Sequence, residues 1–235
     1  MTRVLTAALV TLVFALLARL IRGVTTSGAI AGAIVCFLLY AIAGPGAFAA
    51  LVWVFVLAWI TTRFGYKQKQ KLGTAEKREG RTASQVLANL GTAAICAVFF
   101  SLSKNVAYLL AVCAALSEAA ADTVSSELGQ AFHQQARLIT SGELVPAGTD
   151  GGVTLAGTMA GTLAAVVVTG VCAATGVIPR NWFGLSVLAG VAGMHFDSFL
   201  GALYERRHIL NNDAVNFLST VFSAVLAFTL SLYFH

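Results

Sequence analysis

The sequence predicts an all-α integral membrane protein, a polytopic bundle of about eight transmembrane helices. Three observations predict it. Only 11% of the residues are charged and 58% are hydrophobic, with a mean hydropathy of +0.82, whereas a soluble domain needs roughly 25% charged residues to cover its surface. The apolar stretches run to about twenty residues, the length that crosses a bilayer as a helix, and they lack the alternation of barrel strands. Lys and Arg are divided very unequally between the two ends of such a bundle. Lipid offers backbone groups no partner, so each stretch must satisfy its own amides as a helix.

The first span is expected at about 4–20. Its apolar core imitates a secretory signal, but no small-residue cleavage site leads into a soluble domain, so a membrane helix is the better reading. Spans follow at 24–43 and 46–62, separated at Pro45, because proline lacks an amide donor and favours turns. A basic segment, 63–84, interrupts the apolar pattern. Spans at 85–103 and 105–127 come next, then a polar segment at 128–151. The sixth span, 152–175, and the seventh, 182–203, are divided near Pro179. The polar segment 204–213 precedes the eighth span, 214–234. The expectation is one transmembrane domain, 1–235, containing a cytoplasmic basic loop at 63–84.

Positive charge accumulates on the cytoplasmic side of a membrane protein. With 63–84 placed there, alternation puts every polar segment and the first connection on the same side. That leaves only Arg3, Lys104 and Arg180 opposite, of 15 Lys and Arg. Both termini are then expected outside, with the protein in a bacterial inner membrane. The net charge of +5 is first a topology signal, held near anionic headgroups. It also suits a phosphorylated substrate, most of all at Gly80-Arg81 beside the fourth span. No nucleic-acid partner is expected. The four cysteines, Cys36, Cys96, Cys113 and Cys172, lie in apolar runs without CxxC spacing and read as small buried hydrophobes. His133, His195, His208 and His235 form no metal-binding pattern, and His195 diverges from Asp197 on a helix.

An internal echo, V-T-x-x-G-x-x-A-G, occurs at Val24–Gly32 and again at Val153–Gly161. Each copy contains GxxxG, which lets helix backbones approach closely. Shared packing accounts for it as well as duplication does.

The acids carry the chemistry. Glu76, Glu79, Glu143, Asp150, Glu205 and Asp213 lie in or beside polar loops. Glu118, Asp122, Glu127 and Asp197 lie within the fifth and seventh spans, in the halves nearest the cytoplasm. An ionisable group at that depth costs several kcal/mol unless it is paired or hydrated. Glu118, Asp122, Ser125, Ser126 and Gly129 recur at three- and four-residue steps and share one helix face. Carboxylates from two helices meeting in a cavity suit a hard divalent cation such as Mg2+. A structural network between helices is the alternative. The segment Val145–Thr158 (VPAGTDGGVTLAGT) is a Gly-rich turn feeding a helix N-terminus, a candidate phosphate cradle, though not a Walker motif. Gln85 and Asn89 open the fourth span. Asn211-Asn212-Asp213 precedes the eighth, where capping is an adequate account.

These residues carry a resemblance. QVLANLG (85–91), ADTVSSELG (121–129), VPAGTDGGVTLAGTMAG (145–161), DSFLGA (197–202) and NNDAVN (211–216), in this order, resemble the membrane family of phytyl-phosphate kinase. The likeness runs from about residue 24 to 217, and more distantly suggests dolichol kinase and phosphatidate cytidylyltransferase. It implies transfer of a nucleotide γ-phosphoryl group, from CTP or ATP, onto a prenyl monophosphate within the membrane lipid. Phosphoryl transfer requires positioning, charge neutralisation and a metal. The resemblance therefore places Asp122 and Asp197 on Mg2+, with Glu118 a further candidate ligand. Glu127 becomes a metal or positioning group. Gly148, Thr149, Gly151, Gly152, Thr154 and Ser126 would hold nucleotide phosphates, Arg81 the substrate phosphate, and Asn89 and Asn212 would orient ligands. Two other functions fit the same residues: a transporter or flippase of a phosphorylated lipid, and a CTP-dependent cytidylyltransferase. A transporter site belongs near the midplane, whereas these polar residues crowd one face.

Overall fold

In the computed structural model, which describes residues 2–132 and 135–234, eight helices are long and apolar enough to cross a bilayer. They are α1 (Thr2–Leu20), α2 (Thr26–Leu38, extended by a π-helical turn, Leu39–Ala43), α3 (Pro45–Arg63), α5 (Ala83–Ser103), α6 (Ala107–Phe132), α7 (Leu155–Ala174), α8 (Phe183–Leu200) and α9 (Asn212–Ser231). A short helix, α4 (Tyr66–Leu72), lies in the basic segment. The chain is thus a polytopic helical membrane protein, with helix ends within a few residues of those expected.

α6 is the axis. It packs against α3, α5, α7, α8 and α9, and Ala111, Ala114, Ala115, Ala119, Ala120 and Ala121 along it are buried. Small side chains allow that many neighbours, because little but backbone stands between the helices. Helix α1 is the opposite case. Leu5, Leu9, Leu12, Leu16 and Leu20 are all exposed, the composition of a lipid-facing surface. All four cysteines are buried and free. Mid-bundle polar groups are satisfied across helices: Ser117 Oγ and Thr169 Oγ1 lie 2.8 Å apart, and Ser186 Oγ reaches both Thr169 and Cys113 at 3.1 Å.

Glycine sets the α6–α7 distance. A Cβ at Gly157 would lie 2.6 Å from the Ser125 carbonyl oxygen, and one at Gly161 2.6 Å from that of Ala121. Gly161→Val therefore forces the helices apart. The expected loss is about 1–3 kcal/mol, the usual range for overpacking. It is measured as a lower unfolding temperature of detergent-purified protein, with Gly170→Val as control, since nothing lies within 4 Å of a Cβ there. Equal melting of the two variants contradicts this account of the packing.

The internal echo has a common geometry. Val24 pairs with Arg81 in an isolated bridge, and Val153 pairs with Arg137 in a small sheet. Thr25 and Thr154 then cap α2 and α7, accepting hydrogen bonds from the Gly28 and Gly157 amides at 3.1 and 3.0 Å. Each of those glycines abuts a backbone carbonyl, of Arg81 and Ser125 respectively. The repeat encodes bridge, cap and close approach.

The sheet itself was not expected. Within the segment read as a polar loop, β1 (Gln135–Leu138) pairs antiparallel with β2 (Leu144–Pro146) and β3 (Gly152–Val153), in the order β2-β1-β3. The strands are at most four residues long, too short for a two-residue period to register. Two further differences affect the site. α6 continues to Phe132 rather than stopping at 127. α8 continues through a π-helical turn, Gly201–Glu205.

The three polar segments and the first connection meet at one end of the bundle. Gly80 lies on Gly23, Gly148 on Thr74, and Gly151 on the backbone of Ala202. The other end carries Arg3, which donates to the carbonyls of Tyr40 and Ile42, and Trp182, whose indole donates to the Phe234 carbonyl at 2.9 Å.

Candidate active site

At the polar end, a cavity of about 160 Å3 lies between α6, α8, the start of α9 and the loop joining the sheet to α7. From α6 it receives Asp122, Ser125, Ser126, Gly129 and Gln130, residues spaced so that one helix face turns toward it. From α8 and its π turn come Asp197, Ser198, Gly201 and Glu205. The loop contributes Gly148, Thr149, Asp150, Gly151 and Gly152, the N-cap of α7 contributes Thr154, and α9 contributes Asn212. Segments far apart in sequence thus converge on one small polar space.

The loop's path is set by its glycines. Gly148 and Gly151 have φ of +88° and +77°, a region that L side chains rarely adopt. A Cβ at Gly151 would also collide with the backbone of Ala202, so the loop lies directly on the end of α8. Two loop amides are already used: Thr149 N donates to the Pro146 carbonyl at 3.2 Å, and Gly152 N to the Thr149 carbonyl at 2.8 Å. The Thr149 hydroxyl also donates to the Pro146 carbonyl, at 2.7 Å. Among the described residues, the amides of Gly148, Asp150 and Gly151 have no such partner. Thr154 Oγ1 accepts from Gly157 N as a helix cap, which leaves its hydroxyl hydrogen to be donated elsewhere.

The cavity is acidic. Asp122, Asp150, Asp197 and Glu205 all line it. Asp122 and Asp197 are in side-chain contact, and Asp197 also lies in the field of Glu118 and Glu205. Ser219 of α9 donates to Asp197 Oδ2 at 3.2 Å. Two carboxylates in contact repel unless a proton or a cation lies between them. Partial burial in the loop raises the Asp150 carboxyl above the usual carboxylate range, against the opposing charges of Arg206 and His208. Gln130 Oε1 is buried without a hydrogen-bond partner, and so is Glu118 Oε1, about three turns away on α6. Glu118 is only 1% exposed and does not line the cavity. Among the described residues, no three His, Cys, Asp or Glu side chains are arranged to hold a metal ion by themselves. The donor set is two adjoining carboxylates and not a closed cage.

Besides Glu118, three expected site residues lie elsewhere. Glu127 turns away from the cavity: its carboxylate forms an ion pair with Lys69 and accepts from Thr62 Oγ1 at 2.8 Å. Arg81 and Asn89 line a second, larger cavity bounded by α1, α2, α3 and α5 and by Ala119 of α6. Arg81 still reaches toward the first, donating from Nη2 to Thr123 Oγ1, next to Asp122, at 3.3 Å. Asn89 Nδ2 donates to the Gln85 carbonyl at 2.9 Å. Asn211, and not Asn212 or Asp213, is the cap of α9. His195 lines neither cavity, and His133 and His235 lie outside the described residues.

Sequence reasoning passed over Glu205, Asp150 and Gln130 as site residues. The signal for Glu205 was available, since Asp197, Gly201 and Glu205 recur at steps of four, the spacing of one helix face. Ending the seventh span at 203 hid it.

A family described as integral membrane protein DUF92 matches residues 9–224. Uncharacterized membrane protein MJ0933 of Methanocaldococcus jannaschii is 32% identical over 232 residues, covering 95% of this chain and 92% of that one. Uncharacterized membrane protein sll0875 of Synechocystis is 32% identical over 192 residues, 76% of this chain and 74% of that one. Protein VTE6, chloroplastic, of Arabidopsis thaliana is 28% identical over 221 residues, 88% of this chain but 65% of that one. No solved structure matches the chain.

Proposed function

The chain belongs to the DUF92 family of integral membrane proteins, and from that premise we propose that it is a membrane phosphotransferase. It transfers the γ-phosphoryl group of CTP or ATP to a prenyl monophosphate of the phytyl, geranylgeranyl or farnesyl kind, and yields the diphosphate. One observation carries the reading. The in-helix carboxylates Asp122 and Asp197 share a cavity with the glycine-rich loop 148–152 and the N-terminus of α7. The sequence's resemblance to the phytyl-phosphate kinase family supports the same reaction.

The chemistry asks little covalent help of the protein. An oxygen of the acceptor phosphate attacks the γ-phosphorus, the bond to the β–γ bridging oxygen breaks, and the nucleoside diphosphate leaves with the electron pair. The acceptor is already an oxyanion, so no strong general base is required. The free amides of Gly148, Asp150 and Gly151, with the hydroxyls of Thr154 and Ser126, bind the donor's phosphates, helped by the positive end of α7. Asn212 orients the donor at the cavity's edge.

Asp122 and Asp197 fit Mg2+. They are adjoining carboxylates whose repulsion a cation relieves, and Mg2+ is commonly held by one or two carboxylates with substrate phosphates completing its shell. Bound there, it would neutralise charge on the transferring group. Glu118 does not line the cavity and is left out of that shell. In place of the catalytic role expected of it, Glu127 anchors α4 to α6.

The site is placed at the cytoplasmic face of a bacterial inner membrane, where nucleotide is supplied, with both termini outside. The cavity's position at one end of the bundle favours an enzyme over a flippase. The deciding assay uses purified protein in nanodiscs with a prenyl monophosphate and nucleotide labelled at the γ-phosphorus. Label is expected in the prenyl diphosphate. Label from the α-phosphorus in a CMP-lipid makes it a cytidylyltransferase, and lipid crossing the bilayer without label makes it a flippase.

A further inference from the structure

The second cavity joins an apolar interior to a basic mouth, and the phosphate site leaves it unused. Its volume is about 370 Å3, within the range of roughly 300–1,000 Å3 typical of small-molecule sites. It exists because of how the helices pair. α1 packs on α2 and α2 on α5, while α3 packs on α6 and α7 and meets α1 through aromatic edges. Small residues facing the gap, among them Ala18, Gly32, Ala58 and Ala119, keep it wide. Phe14 closes one wall edge-on against Phe55, with ring centroids 5.3 Å apart.

The two ends differ in chemistry. The deep end is apolar, walled by Phe14, Cys36, Leu51 and Val54. The mouth, at the polar end of the bundle, carries Arg22, Arg63, Lys77, Arg78 and Arg81. The acid there, Glu76, is engaged by the Gln85 amide at 3.3 Å. Among the described residues the one ion pair is Lys69–Glu127, so the basic mouth has no carboxylate at salt-bridge distance. Arg81 is the least exposed of these cations, and its guanidinium meets Thr123 on α6, next to Asp122 of the acidic cavity.

We propose that this cavity binds a single-chain lipid monophosphate, its chain among α1, α2 and α3 and its phosphate at the mouth against Arg81. A slot of this size and polarity matches an amphiphile with one chain and one compact anion. Arginine is the side chain best suited to hold phosphate by paired hydrogen bonds. That the occupant is the phosphoryl acceptor rests on the phosphotransfer reading; the site itself rests on the cavity's walls and mouth. Ala119, which lines this cavity, and Ser126, which lines the acidic one, are seven residues apart on α6 and share a face, so acceptor and donor phosphates approach each other near Thr123.

The test uses the full chain in nanodiscs, without nucleotide, and tritiated farnesyl monophosphate as probe. Saturable binding is expected. Inorganic phosphate should fail to compete and farnesol should bind more weakly. A diazirine-bearing farnesyl monophosphate should label peptides of α1 and α3 in the unaltered protein. Gly32 lines the cavity, and a Cβ there meets only Val86, at 3.9 Å, so Gly32→Phe starts without a clash and is expected to take up cavity space. It should weaken farnesyl monophosphate by at least about tenfold, a clear step on the affinity scale, and leave dimethylallyl monophosphate unchanged. Unaltered farnesyl monophosphate binding in Gly32→Phe overturns the proposal, as does labelling confined to α7 and α9. Displacement by inorganic phosphate marks a site for free phosphate only and overturns it too. Binding without any phosphoryl transfer removes the kinase reading and leaves this site standing. Transfer that is indifferent to Gly32→Phe does the reverse.

Discussion

Asp122→Asn is expected to lower phosphoryl transfer by at least about 100-fold, the scale of losing one group that stabilises charge in a transition state, while the folded protein survives intact. The side chain lines the acidic cavity in contact with Asp197. An amide of the same shape removes a negative charge from a site crowded with them, so stability is expected to hold or rise. The fall should appear mainly in kcat, with Asp197→Asn behaving alike. The double variant should be little worse than either single one, because groups that act as a unit lose their effect together. Steady-state rates with each variant, beside thermal unfolding, check this. An Asp122→Asn protein with full turnover removes the carboxylate pair from the mechanism, and one that simply unfolds makes the pair structural.

Glu127→Gln is expected to act on stability. Lys69 is 0% exposed, and its ammonium donates to the carbonyls of Thr61 and Thr62, at 2.9 and 2.8 Å, and to the Glu127 carboxylate. Neutralising Glu127 leaves a buried cation uncompensated, which typically costs about 3–5 kcal/mol. Replacing both partners with apolar residues, as in Lys69→Met with Glu127→Leu, should recover much of that, since the desolvation of both charges is avoided. Unfolding temperatures of the single and double variants decide it. A Glu127→Gln protein that melts normally but fails to turn over restores Glu127 to the chemistry.

How much of this was legible depended on the length of each signal. The eight spans were readable because a bilayer imposes about twenty apolar residues on each, and turns at Pro45 and Pro179 separate them cleanly. Asp122, Asp197 and the Gly148–Gly152 run were readable as site candidates because charge inside an apolar helix and clustered glycine are both rare. The sheet was not, since β1 to β3 depend on one another across the sequence and carry no local period. Glu127 was misread for a related reason. An acid inside a helix announces that it needs a partner, but not that the partner is Lys69 on a loop helix 58 residues away. Arg81 was picked out as a phosphate contact by its neighbours in sequence, yet only the packing of α1, α2 and α3 reveals the apolar space beside it.

The most direct measurement is of Mn2+, standing in for Mg2+, bound together with nucleotide. Electron paramagnetic resonance of the purified protein, with CTP or ATP carrying 17O at the γ-phosphate, reports whether metal and phosphate share one site. The account predicts a bound Mn2+ signal broadened by the labelled oxygen in the unaltered protein, and its loss in both Asp122→Asn and Asp197→Asn. A bound, broadened signal that persists in both variants contradicts it.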